Sequence, residues 1–435
     1  EQLQPSRVFY YFEQLSAIPR GSGNRDGIAA FCEAFASEHH LRCIRDKANN
    51  VILFKDGTAG YEHAAPVILQ GHLDMVCQKV DGCAIDFEKD GIDLYVDGDF
   101  VKARDTTLGA DNGIAVAMIL AILESNCYAH PPIEAVFTAD EEIGMLGAME
   151  LDMSVLTGRQ MINIDSEEEG VLTAGCAGGR RAECHLPVTR TALTGTAVKA
   201  DIAGLAGGHS GTEIHKGRAN AIALLGRYLT LLSDHGAEYA VLTLSGGAKE
   251  NVIPKESSVT LVLPAGITEA VRAAGADFTA QMKAEFGTAD PSIRLQLTEE
   301  GCGEYDALDA NSAERLRKAL LLMPWGVQSM SMDVPGLVET SLNLGVAEMS
   351  GTEAILRFAI RSSVPSAKEL LSCKVQSLTE LLGGSVRFHG DYPAWVYARE
   401  SALRDRCVAV YEAQYGEKPQ IVAIHAGLEC GILSG

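Results

Sequence analysis

The sequence predicts an α/β protein with a mainly parallel central sheet, interrupted by a second, α+β domain. Three observations predict it. The 435 residues exceed the roughly 250–300 at which one hydrophobic core stops growing, so two domains are expected. Short apolar runs alternate with helical patterns through the first part of the chain. From about Glu183 the strands alternate in polarity instead, and a helix-then-strands order recurs.

In chain order, Val8–Leu15 and Gly27–Glu38 read as helices, separated by the turn-rich Ile18–Asn24. Asn50–Phe54 and Pro66–Leu69 read as buried strands. Thr107–Glu124 reads as a helix rich in Ala, Ile and Met, followed by strands at Ile133–Thr138 and Met161–Ile164. In the second domain, strands are expected at Ala197–Ile202, Ala240–Ser245 and Val259–Leu263, with a helix over Ala219–Ser233. The helix Ser312–Leu322 and the strands Thr340–Val346 and Ala354–Ser362 echo that order, which suggests two related halves. After about Leu378 the chain is expected to rejoin the first domain, with a strand near Val386–His389, a helix at Arg399–Tyr415 and a strand at Pro419–Ile424. The expected division is therefore 1–182 with 379–435 for the first domain and 183–378 for the second.

Composition narrows the function. With 47% hydrophobic and 22% charged residues the chain is ordinary globular material, not a disordered one. A net charge of −22 argues against a nucleic-acid partner, which needs a basic face. Gly113–Leu123 is the longest clean apolar run and falls short of the ~20 residues a bilayer span takes, so no membrane partner is expected. Eleven scattered cysteines without a C-x-x-C pair suit free thiols in a reducing compartment. No secretory signal is visible, and a cytoplasmic location is expected.

Ligands of such sheets bind at the C-terminal ends of the strands. Four polar clusters fall at strand ends or beside them: Gly71-His72-Leu73-Asp74, Leu108–Gly113 with Asp111, Ala139-Asp140-Glu141-Glu142, and Asp165 followed by Ser-Glu-Glu-Glu. His72 and Asp74 share a face because the side-chain period of a strand is two. One His with several carboxylates suits Zn²⁺, Co²⁺ or Mn²⁺, and two such ions need a bridging carboxylate. Adjacent Glu141 and Glu142 are reconciled if one binds metal and the other deprotonates the attacking water. Singly, each cluster is as well read as a surface turn or a helix cap. The run Glu167–Glu169 reads as a solvated face.

Ten stretches then make a specific resemblance: IPRGSGN, GHLDMV, TTLGADNGIA, FTADEEIGMLGA, NIDSEEEG, GCAGG, GGHSG, KENVIP, GLVETSLNLG and HAGLECG. In this order the chain resembles the M20 family of metallopeptidases, and most its aminoacyl-histidine dipeptidase branch. The resemblance implies a phosphorylase/hydrolase-like catalytic domain with an inserted lid, and hydrolysis of unblocked dipeptides, foremost those ending in histidine. It implies two divalent ions, with Zn²⁺ the first expectation and Co²⁺ or Mn²⁺ the alternatives. His72, Asp111, Glu142 and Asp165 are the implied ligands, with Asp111 bridging and followed by a cis peptide bond. Asp74 is implied to orient His72, and Glu141 to act as general base. His209 is implied to polarise the scissile carbonyl; Asn251 and Arg361 are candidates for the substrate carbonyl and C-terminal carboxylate, although Arg361 reads equally well as a strand-surface ion pair. A homodimer stays open, as does whether His209 acts in its own chain or a partner's. The family's last ligand, a His in a segment like H-S-P-D-E after HAGLECG, is expected beyond Gly435, since both ends of the sequence look trimmed. Two rivals share these residues: another M20-type amidase, and a non-catalytic metal-binding homologue.

Overall fold

The computed structural model describes residues 3–434, which divide into two compact units. One comprises 3–172, 400–421 and 428–434; the other comprises Thr173–Arg399 and Val422–Gly427.

In the first unit the order is α1 (Ser6–Ser16), α2 (Asp26–Glu38), β1 (Arg42–Arg45), β2 (Val51–Lys55), β3 (Val67–His72), β4 (Leu94–Asp97), β5 (Phe100–Ala103), α3 (Ala110–Glu124), β6 (Ile133–Thr138), α4 (Leu146–Glu150) and β7 (Gln160–Asn163). Its central sheet runs β1-β2-β6-β3-β7. β6, β3 and β7 are parallel, whereas β1 and β2 add on antiparallel, so the sheet is mixed and its parallel half carries the predicted site residues. Phe12 and Leu15 of α1, Ile28 of α2, and Ile119 and Leu120 of α3 form one core with the sheet. There they meet Val51 of β2 and its cross-strand partner Phe137 of β6. Burying each such side chain contributes about 1.5–3 kcal/mol. α3 is apolar on nearly every face, which is why it can lie buried against the sheet. It starts at Ala110, three residues later than the sequence pattern suggests, because Gly109 is left-handed, and its first turn is kinked at Asp111 and Asn112, which are not helical.

The second unit contains β9 (Gly178–Pro187), β10 (Arg190–Ala203), β11 (Gly208–His209), α5 (Ala221–Asp234), β12 (Ala240–Gly246), β13 (Val252–Ile253), β14 (Ser257–Leu263), α6 (Glu269–Phe286), β15 (Arg294–Leu308), α7 (Ala310–Leu322), β16 (Gly326–Met330), β17 (Val338–Met349), β18 (Glu353–Ser362), α8 (Pro365–Leu381) and β19 (Ser385–Tyr392). β8 (Val171–Cys176) precedes these, and α9 (Ala402–Tyr415), β20 (Gln420–Ile424) and α10 (Glu429–Leu433) follow. The large sheet runs β15-β10-β14-β12-β17-β18-β9-β19, with β16 on β17.

That order is built from two halves of one topology. β10, α5, β12, β14, α6 and β15 give the order β15-β10-β14-β12; β9, α7, β17, β18, α8 and β19 give β19-β9-β18-β17. The first half is inserted after β9 of the second, and the two join through β12 and β17. The echo in the sequence therefore reflects a repeated fold. One expectation is corrected here: the strand near Val386–His389 does not rejoin the first unit but pairs with β9. Its alternating pattern fits an edge strand of either sheet, so the pattern alone does not assign it.

Candidate metal centre

β3, β6 and β7 end side by side, and their ends bring the predicted carboxylates to His72. Nε2 of His72 lies 3.0 Å from Asp111 Oδ1 and 3.6 Å from Asp165 Oδ1. Ligand atoms of His72, Asp111 and Asp165 lie within 4.8 Å of one another, as do those of His72, Glu141 and Glu142. The peptide bond between Asp111 and Asn112 is cis, as the resemblance implies. An imidazole facing several carboxylates is a donor set suited to borderline divalent ions, so the residues fit such a metal.

Electrostatics agree with that fit. Burial lowers the proton affinity of His72, but hydrogen bonds to Asp111, Asp165 and Asp74 raise it well above the ordinary range. The cluster thus favours a cation among its carboxylates. Burial pushes the Glu141 carboxyl up to about 8; His72 opposes this, while Glu429, Asp165 and Glu142 add to it. Burial likewise raises the carboxyls of Glu142 and Asp165.

Asp74 does more than the sequence suggests. The acceptor nearest His72 Nδ1 is the Asp74 backbone carbonyl at 3.1 Å, with the carboxylate at 3.4 Å. The carboxylate accepts from Glu141 N at 2.9 Å, Glu142 N at 3.3 Å and Ser22 Oγ at 2.7 Å. It therefore fixes the turn carrying both glutamates as well as the imidazole.

Other residues of the site are absent from the sequence reading. Asn112 accepts from His72 N at 3.1 Å and donates to Asp165 Oδ1 at 3.1 Å and to Ile164 O at 2.7 Å. Glu429 is fully buried and accepts from Gln70 Nε2 at 2.6 Å and Thr138 Oγ1 at 2.8 Å. Asn163 Nδ2 donates to Gln70 Oε1, so one polar network joins the three strands beneath the site. Burial pushes the Glu429 carboxyl up to about 7, against the hydrogen bond from Thr138. Gln70 offers a signal: it is a polar residue on the His72 face of an otherwise apolar strand. Glu429→Ala is expected to destabilise the protein by about 3 kcal/mol, because two buried donors lose their acceptor. Urea unfolding checks this; an unchanged midpoint would show that the network is not structural.

The remaining predicted residues lie in the second unit. β11 pairs with β13, placing His209 opposite Val252, and Ser210 N donates to Asn251 O at 2.9 Å. Asn343 Nδ2 donates to Glu250 O at 2.7 Å and Val252 O at 2.8 Å, bracketing Asn251. Nδ1 of His209 accepts from Thr212 N at 3.1 Å and Gly211 N at 3.3 Å. A neutral His209 therefore carries its proton on Nε2. Burial and the charge of Arg361 lower its proton affinity, which favours that neutral form.

Arg361 is 9% exposed and forms no ion pair among the described residues, contrary to the surface-pair alternative. It donates to the Tyr392 hydroxyl at 3.0 Å. His425 is buried, with Nε2 2.7 Å from Ser341 Oγ, and burial followed by the charge of Arg361 lowers it to about 3. Ser341 and Arg361 are paired across β17 and β18.

A family model for a peptidase dimerisation domain matches residues 202–290. The chain is 36% identical to the cytosol non-specific dipeptidase of Escherichia coli (strain K12), over 99% of this chain and 89% of that protein. The aminoacylhistidine dipeptidase of Vibrio alginolyticus superposes with a TM-score of 0.91 at 37% identity, covering 99% of this chain and 88% of that one. The aminopeptidase PepT of Bacillus cereus shares the fold, with a TM-score of 0.53 at 13% identity, covering 100% and 88%. These relatives define a peptide-bond hydrolase. The chain belongs to the M20 peptidase family.

Proposed function

We propose that this protein is a cytoplasmic, metal-dependent dipeptidase acting on unblocked dipeptides, with a C-terminal histidine as its preferred class. The observation that carries the reading is the convergence of Asp111 and Asp165 on His72 Nε2, at 3.0 and 3.6 Å, beside Glu141 and Glu142. The names of both relatives, at 36% and 37% identity, support dipeptide hydrolysis, and that of the Vibrio alginolyticus enzyme supports the histidine preference.

His72, Asp111, Glu142 and Asp165 would hold two divalent ions, with Zn²⁺ the first choice. Bound there, the ions would supply Lewis acidity toward the scissile carbonyl and acidify the attacking water. Glu141 takes the proton of that water and passes it to the leaving amine. His209 donates from Nε2 to the developing oxyanion. Arg361 holds the substrate's C-terminal carboxylate through its guanidinium, and Asn251 offers its amide to the substrate carbonyl. The dimerisation-domain match supports a homodimer. No helix among the described residues is long and apolar enough to cross a membrane.

Release of free histidine from β-alanyl- and α-aminoacyl-histidine dipeptides tests the substrate class. Faster turnover of these than of other unblocked dipeptides is expected. A preference for N-acylated amino acids would instead identify an amidase of the same family.

A further inference from the structure

Arg20 is a buried cation that the mechanism above does not use. It is 2% exposed and forms no ion pair among the described residues. Nη1 donates to the backbone carbonyls of Leu73 at 3.0 Å and Asp74 at 3.2 Å, and Nη2 donates to the carbonyl of Gly109. The first two carbonyls directly follow His72; the third lies two residues before Asp111. One planar guanidinium thus joins the segments that carry two of the metal-binding candidates. Burial lowers its pKa to about 10, so it stays charged at neutral pH.

The surroundings are built to admit it. A Cβ on Gly109 would lie 2.6 Å from Nη2, and one on Gly113 would lie 2.5 Å from it. Both distances are shorter than real contacts, so the two glycines beside Asp111 leave room for this side chain. The rest of the loop reaches the same turns: Ser22 Oγ donates to Asp74 Oδ2 at 2.7 Å, and Gly23 N donates to Asp140 Oδ1 at 2.7 Å.

We propose that Arg20 is a positioning residue of the metal centre, its guanidinium setting the spacing between the His72 and Asp111 segments. The proposal rests on reading His72 and Asp111 as metal ligands. A lysine ammonium is a point charge and cannot span both segments as the planar fork does.

Calorimetric titration of the metal-free protein with Zn²⁺ tests it, using wild type, Arg20→Ala, Arg20→Lys and His72→Ala. Circular dichroism reports whether each variant folds. Arg20→Ala is expected to bind about 10- to 100-fold more weakly, with millimolar guanidinium restoring affinity. Wild-type affinity in folded Arg20→Ala would overturn the proposal, as would a loss that guanidinium does not restore. If Arg20→Ala does not fold, Arg20→Lys decides: weaker binding supports the proposal and wild-type affinity overturns it. His72→Ala separates the two readings, because unchanged affinity there would sink the ligand assignment itself.

Discussion

Glu141→Gln is expected to lower kcat for dipeptide hydrolysis about 10³-fold while leaving the metal content unchanged. The substitution keeps the shape of the side chain and removes its capacity to accept a proton. Its backbone should stay in place, because Glu141 N donates to Asp74 Oδ1 at 2.9 Å whatever the side chain is. Burial and nearby carboxylates raise the Glu141 carboxyl, and divalent ions bound beside it would lower it again toward the range in which it accepts a proton at neutral pH. The measurement pairs steady-state kinetics with metal analysis. If the variant loses metal together with activity, Glu141 is a ligand and the base lies elsewhere, with Glu142 the next candidate.

His209→Ala is expected to lower kcat about 10²- to 10³-fold with little change in KM, as loss of an oxyanion donor does. The tautomer carries this prediction. Thr212 N and Gly211 N occupy Nδ1, so the ring's donor is Nε2. A rise in KM at constant kcat would instead mark His209 as a ground-state binding residue. Arg361→Ala, by contrast, should act mainly on KM if it holds the carboxylate.

Much of this is legible in the sequence where one local rule decides the outcome. Ile133–Thr138 is a short, mainly apolar run, broken by Glu134 and followed by polar residues, and β6 has those bounds. Polar clusters at or beside such ends mark the candidate site, the ligand set being what the resemblance implies, and His72 does lie close to those carboxylates. What stays hidden depends on contacts between distant segments. Glu429 meets Gln70 across 359 positions, and no local pattern announces that pairing. The same holds for Arg20, whose partners are backbone carbonyls rather than a residue type that could be sought. The long strand β15 escapes the pattern because its side chains are mostly exposed, leaving little apolar periodicity to read.

The most direct test of the central claim is hydrolysis of an unblocked dipeptide before and after chelation, with bound metal counted in the same samples. Activity is expected to fall with the metal and to return when Zn²⁺, Co²⁺ or Mn²⁺ is restored. Full activity in metal-free protein would contradict it.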